Sequence, residues 1–332
     1  MAPSALSPTA DVSLAQFAAD ARHYLTQSPR QMASRYFYDA LGSRLFDAIC
    51  ELPWYRVTRA ETALVARHGA EILRQAGSPS RIVELGSGSG AKLAVLAGSR
   101  AHGSGPVQLH LIDISPAALE AAARALDALP GAEIVTHHAT YESGLDAVGQ
   151  APSSGPTLAL FLGSNIGNFD RPAADALLAR LRASLAPGDF LLLGTDLVKP
   201  EAELLLAYDD PLGVTAAFNL NLFARMNREL GATFALDRLK HVAIWNAGDA
   251  RVEMHVESLA DQRVTVPAAG LDFVLKSGER IWTENSHKYT PADADRMLQR
   301  AGFEVRQRWT DPDAGFALTL AAAKTPTSSS PR

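Results

Sequence analysis

The sequence predicts an α/β protein built on a doubly wound, mostly parallel sheet. Short apolar runs typical of strands alternate with helical segments from about residue 60 to residue 198. A glycine-rich turn follows the first of these strands, and a helix with a pair of strands ends the chain. Strands that alternate with helices form βαβ units with right-handed crossovers, which place parallel strands side by side. We therefore expect one open sheet, completed by the C-terminal strand pair.

The individual elements follow from the hydrophobic pattern. The first helix begins at Leu14 and stops before Ser28-Pro29, because its apolar residues recur at helical spacing up to Leu25. Pro116 stands at the first position of a later helix, where its missing N–H is harmless. The strands of this region are predicted at 81–85, 107–113, 133–137, 157–162 and 189–196, and its helices at 116–129 and 172–185.

The alternation stops between about 199 and 288. A helical segment at 207–230 is followed there by strand-like runs at 241–246, 251–259 and 271–275. Helical periodicity then returns at 291–303, before strands at 304–311 and 315–323 that a Pro-Asp-Ala-Gly turn joins. A helix and a terminal hairpin would complete the first sheet after an insertion.

This organisation predicts two interleaved domains. The cofactor-binding domain comprises 60–198 and 289–323, and a smaller α+β substrate-binding domain comprises 13–59 and 199–288. The tails at 1–12 and 324–332 are rich in Ser, Pro, Thr and Ala, and we expect them to be disordered because they cannot bury enough apolar surface.

Composition excludes several classes of protein. The chain has 332 residues, of which 47% are hydrophobic and 20% charged, so it can bury a large core. A net charge of −5 disfavours nucleic acid as a partner. The N-terminus lacks a signal-peptide pattern, and no window approaches about 18 uninterrupted apolar residues, so we expect no membrane association. The single cysteine, Cys50, fits a reducing cytoplasm and a small buried hydrophobe better than a metal site.

The strongest local signal is the segment ELGSGSG at 84–90. Glycines directly after a strand let the backbone turn sharply and approach a ligand, with the amides of a helix N-terminus beyond them. Asp113 ends the next strand, where a carboxylate can accept both ribose hydroxyls of a nucleoside cofactor. The loop alone also fits an NAD(P) enzyme, since Gly86, Gly88 and Ala91 satisfy the relaxed dinucleotide pattern, or a tight turn without a ligand.

Three features favour a different nucleoside cofactor. An acid, Glu84, stands just before the first glycine, the loop has the form Gly-x-Gly-x-Gly, and the C-terminal hairpin is antiparallel. Together they resemble class I, Rossmann-like methyltransferases that use S-adenosylmethionine (SAM), rather than dehydrogenases.

Six motifs in one order narrow the resemblance to one family. They are YFYDALGS at 36–43, LP at 52–53 with TR at 58–59, ELGSG at 84–88 with Lys92, FLGSNIGN at 161–168, AYDD at 207–210 and TENSHK at 283–288. From about 31 to 322 the chain resembles the histidine-specific Nα-methyltransferases of ergothioneine biosynthesis. The resemblance implies an enzyme that trimethylates the α-amine of L-histidine to hercynine, and we expect it to be a monomer without a metal. Two alternatives stay open: a methyltransferase for another aromatic amino acid, and a non-catalytic cofactor-binding scaffold.

The resemblance also implies a cofactor site. Its members would be Gly86, Gly88, Lys92 and Asp113, with Thr140 and Tyr141 from the loop after the third predicted strand flanking the adenine. Thr140 stands where the family usually has Asp.

By the same resemblance, a cleft between the domains would hold the amino acid. Tyr38 and Tyr208 would bind its carboxylate, and Asn168 and Tyr55 would act on the amine as the catalytic pair. The remaining members would be Phe218 and Met254 as apolar walls and Glu284 and Ser286 around the imidazole. A carboxylate receives a ring N–H in a charge-assisted hydrogen bond, and the serine can donate or accept at the other nitrogen. Specificity for histidine would then depend on Glu284.

Each residue also has a simpler interpretation. Residues 36–38 could be core aromatics, and residues 208–210 could cap a helix. Asn168 could be a turn residue, and Glu284 with Lys288 could form a solvated salt bridge of little energetic value.

Overall fold

The computed structural model describes residues 14–101, 104–151 and 153–325. The predicted disordered tails at 1–12 and 324–332 lie outside these residues, apart from Lys324 and Thr325. The helices are α1 Leu14–Leu25, α2 Ala40–Glu51, α3 Val57–Gln75, α4 Ala91–Gly98, α5 Pro116–Leu126, α6 Tyr141–Gln150, α7 Arg171–Ala183, α8 Glu201–Tyr208, α9 Val214–Leu230 and α10 Pro291–Arg300. The strands are β1 Arg30–Gln31, β2 Arg81–Leu85, β3 Val107–Asp113, β4 Ala132–His138, β5 Thr157–Phe161, β6 Phe190–Asp196, β7 Leu239–Asn246, β8 Arg251–Ser258, β9 Gln262–Val266, β10 Leu271–Leu275, β11 Arg280–His287, β12 Phe303–Asp311 and β13 Phe316–Ala323.

The larger sheet has seven strands in the order β12-β13-β6-β5-β2-β3-β4. The five strands from β6 to β4 are parallel, and β13 runs antiparallel to both β6 and β12. This confirms the predicted doubly wound sheet with a C-terminal antiparallel hairpin. The strand order reverses at β2 and β5, so the crevice beyond their carboxyl ends is where a ligand is expected to bind.

Both faces of this sheet are covered by helices. Successive residues of a strand point to opposite faces, and the two hydrophobic cores follow that alternation. Ile82 of β2 belongs to the core that contains residues of α3, α4 and α5, whereas Val83 belongs to the core with residues of α6, α7 and α10.

A second sheet of four strands stands in the order β1-β11-β8-β7, and β9 and β10 form a separate antiparallel pair. The apolar side of α9, with Phe218, Leu222 and Met226, is buried in the same core as Met254 and Val256 of β8. Strands β1, β9 and β11 had not been predicted. β11 carries a register shift between Trp282 and Glu284, where its pairing with β8 is interrupted.

The helical segment predicted at 207–230 is two helices rather than one. α8 ends at Tyr208 and α9 begins at Val214, and Pro211 and Gly213 occupy the turn between them. Asp210 accepts backbone N–H groups from Leu212, Val214 and Thr215 at 3.0, 3.2 and 2.8 Å. A side-chain oxygen that satisfies the free N–H groups of a first helical turn defines where that helix starts.

The chain leaves the large sheet after β6 and returns to it beside its point of exit. Leu197 and Tyr289 form an isolated parallel bridge, and the Tyr289 N–H donates to the Asp196 carbonyl at 3.0 Å. The predicted division into two domains at 13–59 with 199–288 and 60–198 with 289–323 stays a prediction. None of the helices in the described part of the chain combines the length and apolar character needed to span a bilayer.

Candidate active site

The glycine loop after β2 faces a large open cleft. Gly86 has φ +75°, and a Cβ at this position would lie 2.9 Å from both Asn165 Nδ2 and Tyr141 Oη. Only glycine fits this backbone position without displacing those side chains. The cleft beyond the loop has a volume of about 1060 Å³.

Five of the six residues predicted for the cofactor site line this cleft. They are Gly86, Gly88, Asp113, Thr140 and Tyr141. The Asp113 carboxylate accepts the backbone N–H groups of Ser115 at 2.9 Å and Gly88 at 3.2 Å, which fixes its orientation at the end of β3. Burial raises the pKa of Asp113 despite these bonds. Thr140 caps α6 through Ser143, so its hydroxyl is turned toward its own helix.

The sixth residue, Lys92, is held in a partly buried ion pair. Its Nζ donates to Glu61 Oε2 at 2.5 Å, and Glu61 is fully buried. Glu61 was not singled out in the sequence, because its partner lies far along the chain and on another helix.

A buried carboxyl group, Glu84, lies near the end of β2. Within the described residues, Glu84 Oε2 is buried without a hydrogen bond. Burial is the largest influence on this group and raises its pKa to about 8. This buried polar atom without a partner lies two residues before Gly86, which lines the cleft, and it fits a ligand that supplies the missing donor.

A second, much smaller cavity of about 40 Å³ adjoins the cleft. All eight residues predicted for the substrate site line it, although they come from separate parts of the chain. They are Tyr38, Tyr55, Asn168, Tyr208, Phe218, Met254, Glu284 and Ser286. Five residues line both cavities, which therefore meet: Tyr38, Phe46, Asn165, Asn168 and Glu284.

The titratable groups of the small pocket are strongly desolvated. Burial raises the pKa of Glu284 to about 8, and nearby Lys288 opposes this shift only in part. Burial also raises the pKa values of the Tyr38 and Tyr55 phenols well above their usual range. The free pocket thus favours neutral side chains.

The interpretation of Glu284 and Lys288 as a solvated salt bridge is wrong. Lys288 is only 2% exposed, and its ammonium pairs with Asp196 at 2.8 Å. Both residues lie on or next to strand β11, where residues four apart are separated by about 13 Å along the chain. The spacing that joins i and i+4 on a helix does not apply.

Two other simple interpretations, core aromatics at 36–38 and a helix cap at 208–210, fit neighbours of the predicted site residues but not those residues themselves. Tyr36 and Phe37 are core aromatics, but Tyr38 lines the pocket. Asp210 accepts N–H groups from the first turn of α9, but Tyr208 lines the pocket.

Asn165 and Phe46 line both cavities and were missed in the sequence analysis. Asn165 belongs to the same motif as Asn168, so its position at the carboxyl end of β5 was the available signal. Phe46 contacts Tyr38, Tyr55 and Phe218 edge-on or tilted, at centroid distances of 5.7 to 6.3 Å. In the sequence it is one of several apolar residues on an amphipathic helix.

Over the described residues, no group of three or more His, Cys, Asp or Glu side chains is placed to hold a metal.

Three features define the class of protein. They are a seven-stranded sheet in which β13, second from one edge, runs antiparallel to its neighbours, a glycine loop after β2, and a carboxylate at the end of β3. This is a SAM-dependent methyltransferase with the class I, Rossmann-like fold. The chain belongs to the family described as histidine-specific methyltransferases, SAM-dependent, whose family model matches residues 17–323.

Named relatives agree with this family. The chain is 41% identical to a histidine N-alpha-methyltransferase of Mycolicibacterium smegmatis, over 91% of this chain and 93% of the relative. It is 40% identical to a histidine N-alpha-methyltransferase of Mycobacterium tuberculosis, over 90% and 92% of the two chains. It is 30% identical to ergothioneine biosynthesis protein 1 of Neurospora crassa, over 85% of this chain and 32% of that longer protein.

Proposed function

We propose that this enzyme transfers three methyl groups in succession from SAM to the α-amine of L-histidine, giving hercynine for ergothioneine biosynthesis. The names of the relatives from M. smegmatis and N. crassa support the substrate and the pathway. The observation that carries the proposal is the small pocket, because its eight predicted residues converge from separate segments on one cavity beside the glycine loop.

The polar groups of this pocket favour an imidazole. Glu284 and Ser286 face the cavity from the same strand, β11, and can each bind one ring nitrogen. An indole has a single N–H donor, and a phenol carries its donor and acceptor on one oxygen, so neither presents two separate ring nitrogens to the two side chains. Pockets built around hydrogen bonds reject such ligands by roughly 10⁴-fold or more. A related enzyme for another aromatic amino acid is therefore the weaker alternative, and a scaffold without activity would have no need for this matched pair.

The cofactor residues fit SAM. Asp113 is placed for the ribose, Gly86 and Gly88 give the backbone room for close approach, and Thr140 and Tyr141 border the cleft where the adenine would bind. The unpartnered Glu84 suits the ammonium group of the methionine portion. Lys92 would contribute to the cofactor site while it stays paired with Glu61. SAM supplies a methyl group on a positively charged sulfur, which an uncharged amine can attack in line.

The protein's own contribution to the reaction is mainly positioning. Asn168 and Tyr55 line the pocket, and we propose that they orient the amine toward the cleft. Because burial keeps the Tyr55 phenol protonated near neutral pH, it serves as a hydrogen-bonding group rather than as the base. The proton of the amine then leaves through water, with Tyr55 and Asn168 holding that water and the amine in place.

The test is an incubation of the purified protein with labelled SAM and each of the twenty amino acids, with products identified by mass. We expect a gain of three methyl groups on histidine alone. Absence of that product would contradict the proposal, and an equal rate on tryptophan would support the alternative.

We further propose that the enzyme works as a monomer in the cytoplasm. All eight pocket residues come from a single chain, and the one cysteine of the sequence is a free thiol. Light scattering of the purified protein and fractionation of cells test these two statements separately.

A further inference from the structure

A buried ammonium group lies directly behind the small pocket. Lys288 follows β11, and its Nζ has three acceptors, each at 2.8 Å: Asp196 Oδ2, Tyr208 Oη and Ser286 Oγ. An ammonium group has three N–H donors and no acceptor, so these partners use all of them. The interaction is therefore complete before any ligand binds.

This arrangement restricts the two hydroxyl groups that it holds. Tyr208 Oη and Ser286 Oγ lie 2.7 Å apart, and each accepts a hydrogen bond from Lys288. One of their two hydroxyl hydrogens is used in the bond between them. The other one is left for a ligand in the pocket, which both residues line.

The charges around Lys288 do not cancel. Asp196 is also bonded to Lys199 at 2.6 Å, so one carboxylate is shared by two lysines. Glu284 is the other acidic group that influences Lys288 from within the pocket lining, and its raised pKa of about 8 keeps it largely protonated at neutral pH. In the described part of the chain this cluster thus carries an excess positive charge. A buried charge is unfavourable unless it is paired, so the pocket favours an anionic group beside Tyr208.

We propose that Lys288 is a positioning residue for the α-carboxylate of the amino acid. It fixes the Tyr208 hydroxyl as a donor toward the pocket, and its charge favours the carboxylate that accepts that bond. This inference rests on the proposed function, which assigns the carboxylate to Tyr208.

The same network then determines what Ser286 does. If Tyr208 gives its hydrogen to the carboxylate, Ser286 must donate to Tyr208, and its oxygen is left to accept an imidazole N–H. The second ring nitrogen is left for Glu284. The carboxyl group of Glu284 and this nitrogen then share one proton in a hydrogen bond. The hydroxyl of Ser286, which could rotate freely in an isolated serine, has one orientation here.

The test compares two ligands that each lack one charged group of histidine. Imidazolepropionate keeps the carboxylate and lacks the amine, whereas histamine keeps the amine and lacks the carboxylate. Dissociation constants are measured by calorimetry for wild-type protein and Lys288→Met, with S-adenosylhomocysteine present. We expect Lys288→Met to weaken imidazolepropionate by roughly 10- to 100-fold and histamine by less than about threefold, as for loss of a hydrogen bond to a charged group. The KM for histidine should rise more than kcat falls.

Three variants control the comparison. Lys288→Arg keeps the charge and should recover part of the preference for the carboxylate ligand. Lys276→Met removes an exposed lysine that pairs with Asp261, and it should change neither dissociation constant. If Lys288→Met does not fold, Lys288→Gln carries the same measurement, since its amide can still donate to the two hydroxyls without supplying charge.

Equal losses for both ligands would mean that Lys288 is merely structural and would overturn the inference. Wild-type protein is assayed with histidine in parallel. If it transfers no methyl group, the proposed function fails; if it does and the two losses are equal, only the role of Lys288 fails.

Discussion

The Glu61 carboxylate accepts the backbone N–H of Gly163 at 2.7 Å. Glu61 lies on α3, and Gly163 opens the loop after β5 that carries Asn165 and Asn168. The same carboxylate holds Lys92 of α4. One buried side chain thus joins α3, α4 and the loop that carries two residues of the pocket lining.

Glu61→Gln should therefore destabilise the protein. The amide keeps the shape of the side chain but leaves the partly exposed Lys92 without its counter-charge, and we expect a cost of roughly 2 to 3 kcal/mol. Urea denaturation measures the change in the free energy of unfolding. Asp272→Asn, which breaks an exposed pair with Arg263, is the matched control and should cost less than about 1 kcal/mol. Equal effects of the two variants would contradict the importance given to Glu61.

Gly86→Ala should weaken SAM binding. A methyl group there would lie 2.9 Å from Tyr141 Oη and Asn165 Nδ2, so both cleft-lining side chains would have to move. We expect at least about a tenfold higher dissociation constant, the factor that about 1.4 kcal/mol corresponds to. Gly278→Ala has a similar backbone strain, with φ +80° and no atom within 4 Å of the added Cβ, and should leave SAM binding unchanged. Calorimetric titration with SAM would show whether the two variants differ.

The ligand-free protein should lose stability as the pH rises. The pKa of Glu284 is about 8 in the folded protein against a usual value of 4.5, so the folded state keeps a proton that the unfolded state has lost. Between these values the free energy of unfolding falls by up to about 1.4 kcal/mol per pH unit for this group. Its stabilising contribution is complete below pH 4.5 and lost as the pH passes 8.

Urea denaturation at pH 6, 7 and 8 compares wild-type protein with Glu284→Gln, which cannot ionise. The wild-type free energy of unfolding should fall more steeply with pH than that of the variant. Parallel curves would show that Glu284 ionises as an ordinary glutamate.

Glu284→Ala should reduce selectivity for histidine more than affinity for SAM. The pocket would lose one of the two groups proposed for the imidazole, whereas the glycine loop and Asp113 would be unchanged. We expect kcat/KM for histidine to fall by roughly 10- to 100-fold, as for a lost hydrogen bond to a charged group. The SAM dissociation constant, measured in parallel, should change by less than about threefold. A comparable loss in both quantities would remove the role assigned to Glu284.

Much of the fold could be predicted from local pattern. Leu14–Leu25, Arg81–Leu85 and Val107–Asp113 have the predicted bounds, because each is a periodic or continuous apolar run between clear breaks. The prediction for 207–230 was less accurate, because the helical periodicity of the sequence continues across the turn that contains Pro211 and Gly213. β11 was missed because its polar side chains face a pocket and so disguise the strand pattern.

The site was predictable where a motif marks it, and less so where distant residues meet. Tyr38 could be separated from its core neighbours Tyr36 and Phe37 only by resemblance to the family, since all three are aromatic and adjacent. The bonds of Lys288 to Asp196 and of Lys92 to Glu61 join residues far apart in the chain. No local rule of spacing links such residues, because the sheet topology brings them together.

The bridge between Leu197 and Tyr289 has a consequence for how this enzyme could be diversified. Since the chain departs and returns at one point, we expect that the intervening segment can be exchanged while the order of the seven strands is kept. Tyr38 and Tyr55, however, reach the same pocket from the N-terminal segment. An exchange that aims at a different amino acid substrate would therefore have to replace the N-terminal segment and the segment between Leu197 and Tyr289 together. A hybrid in which only one of them is replaced would have a pocket lined by residues from two different enzymes.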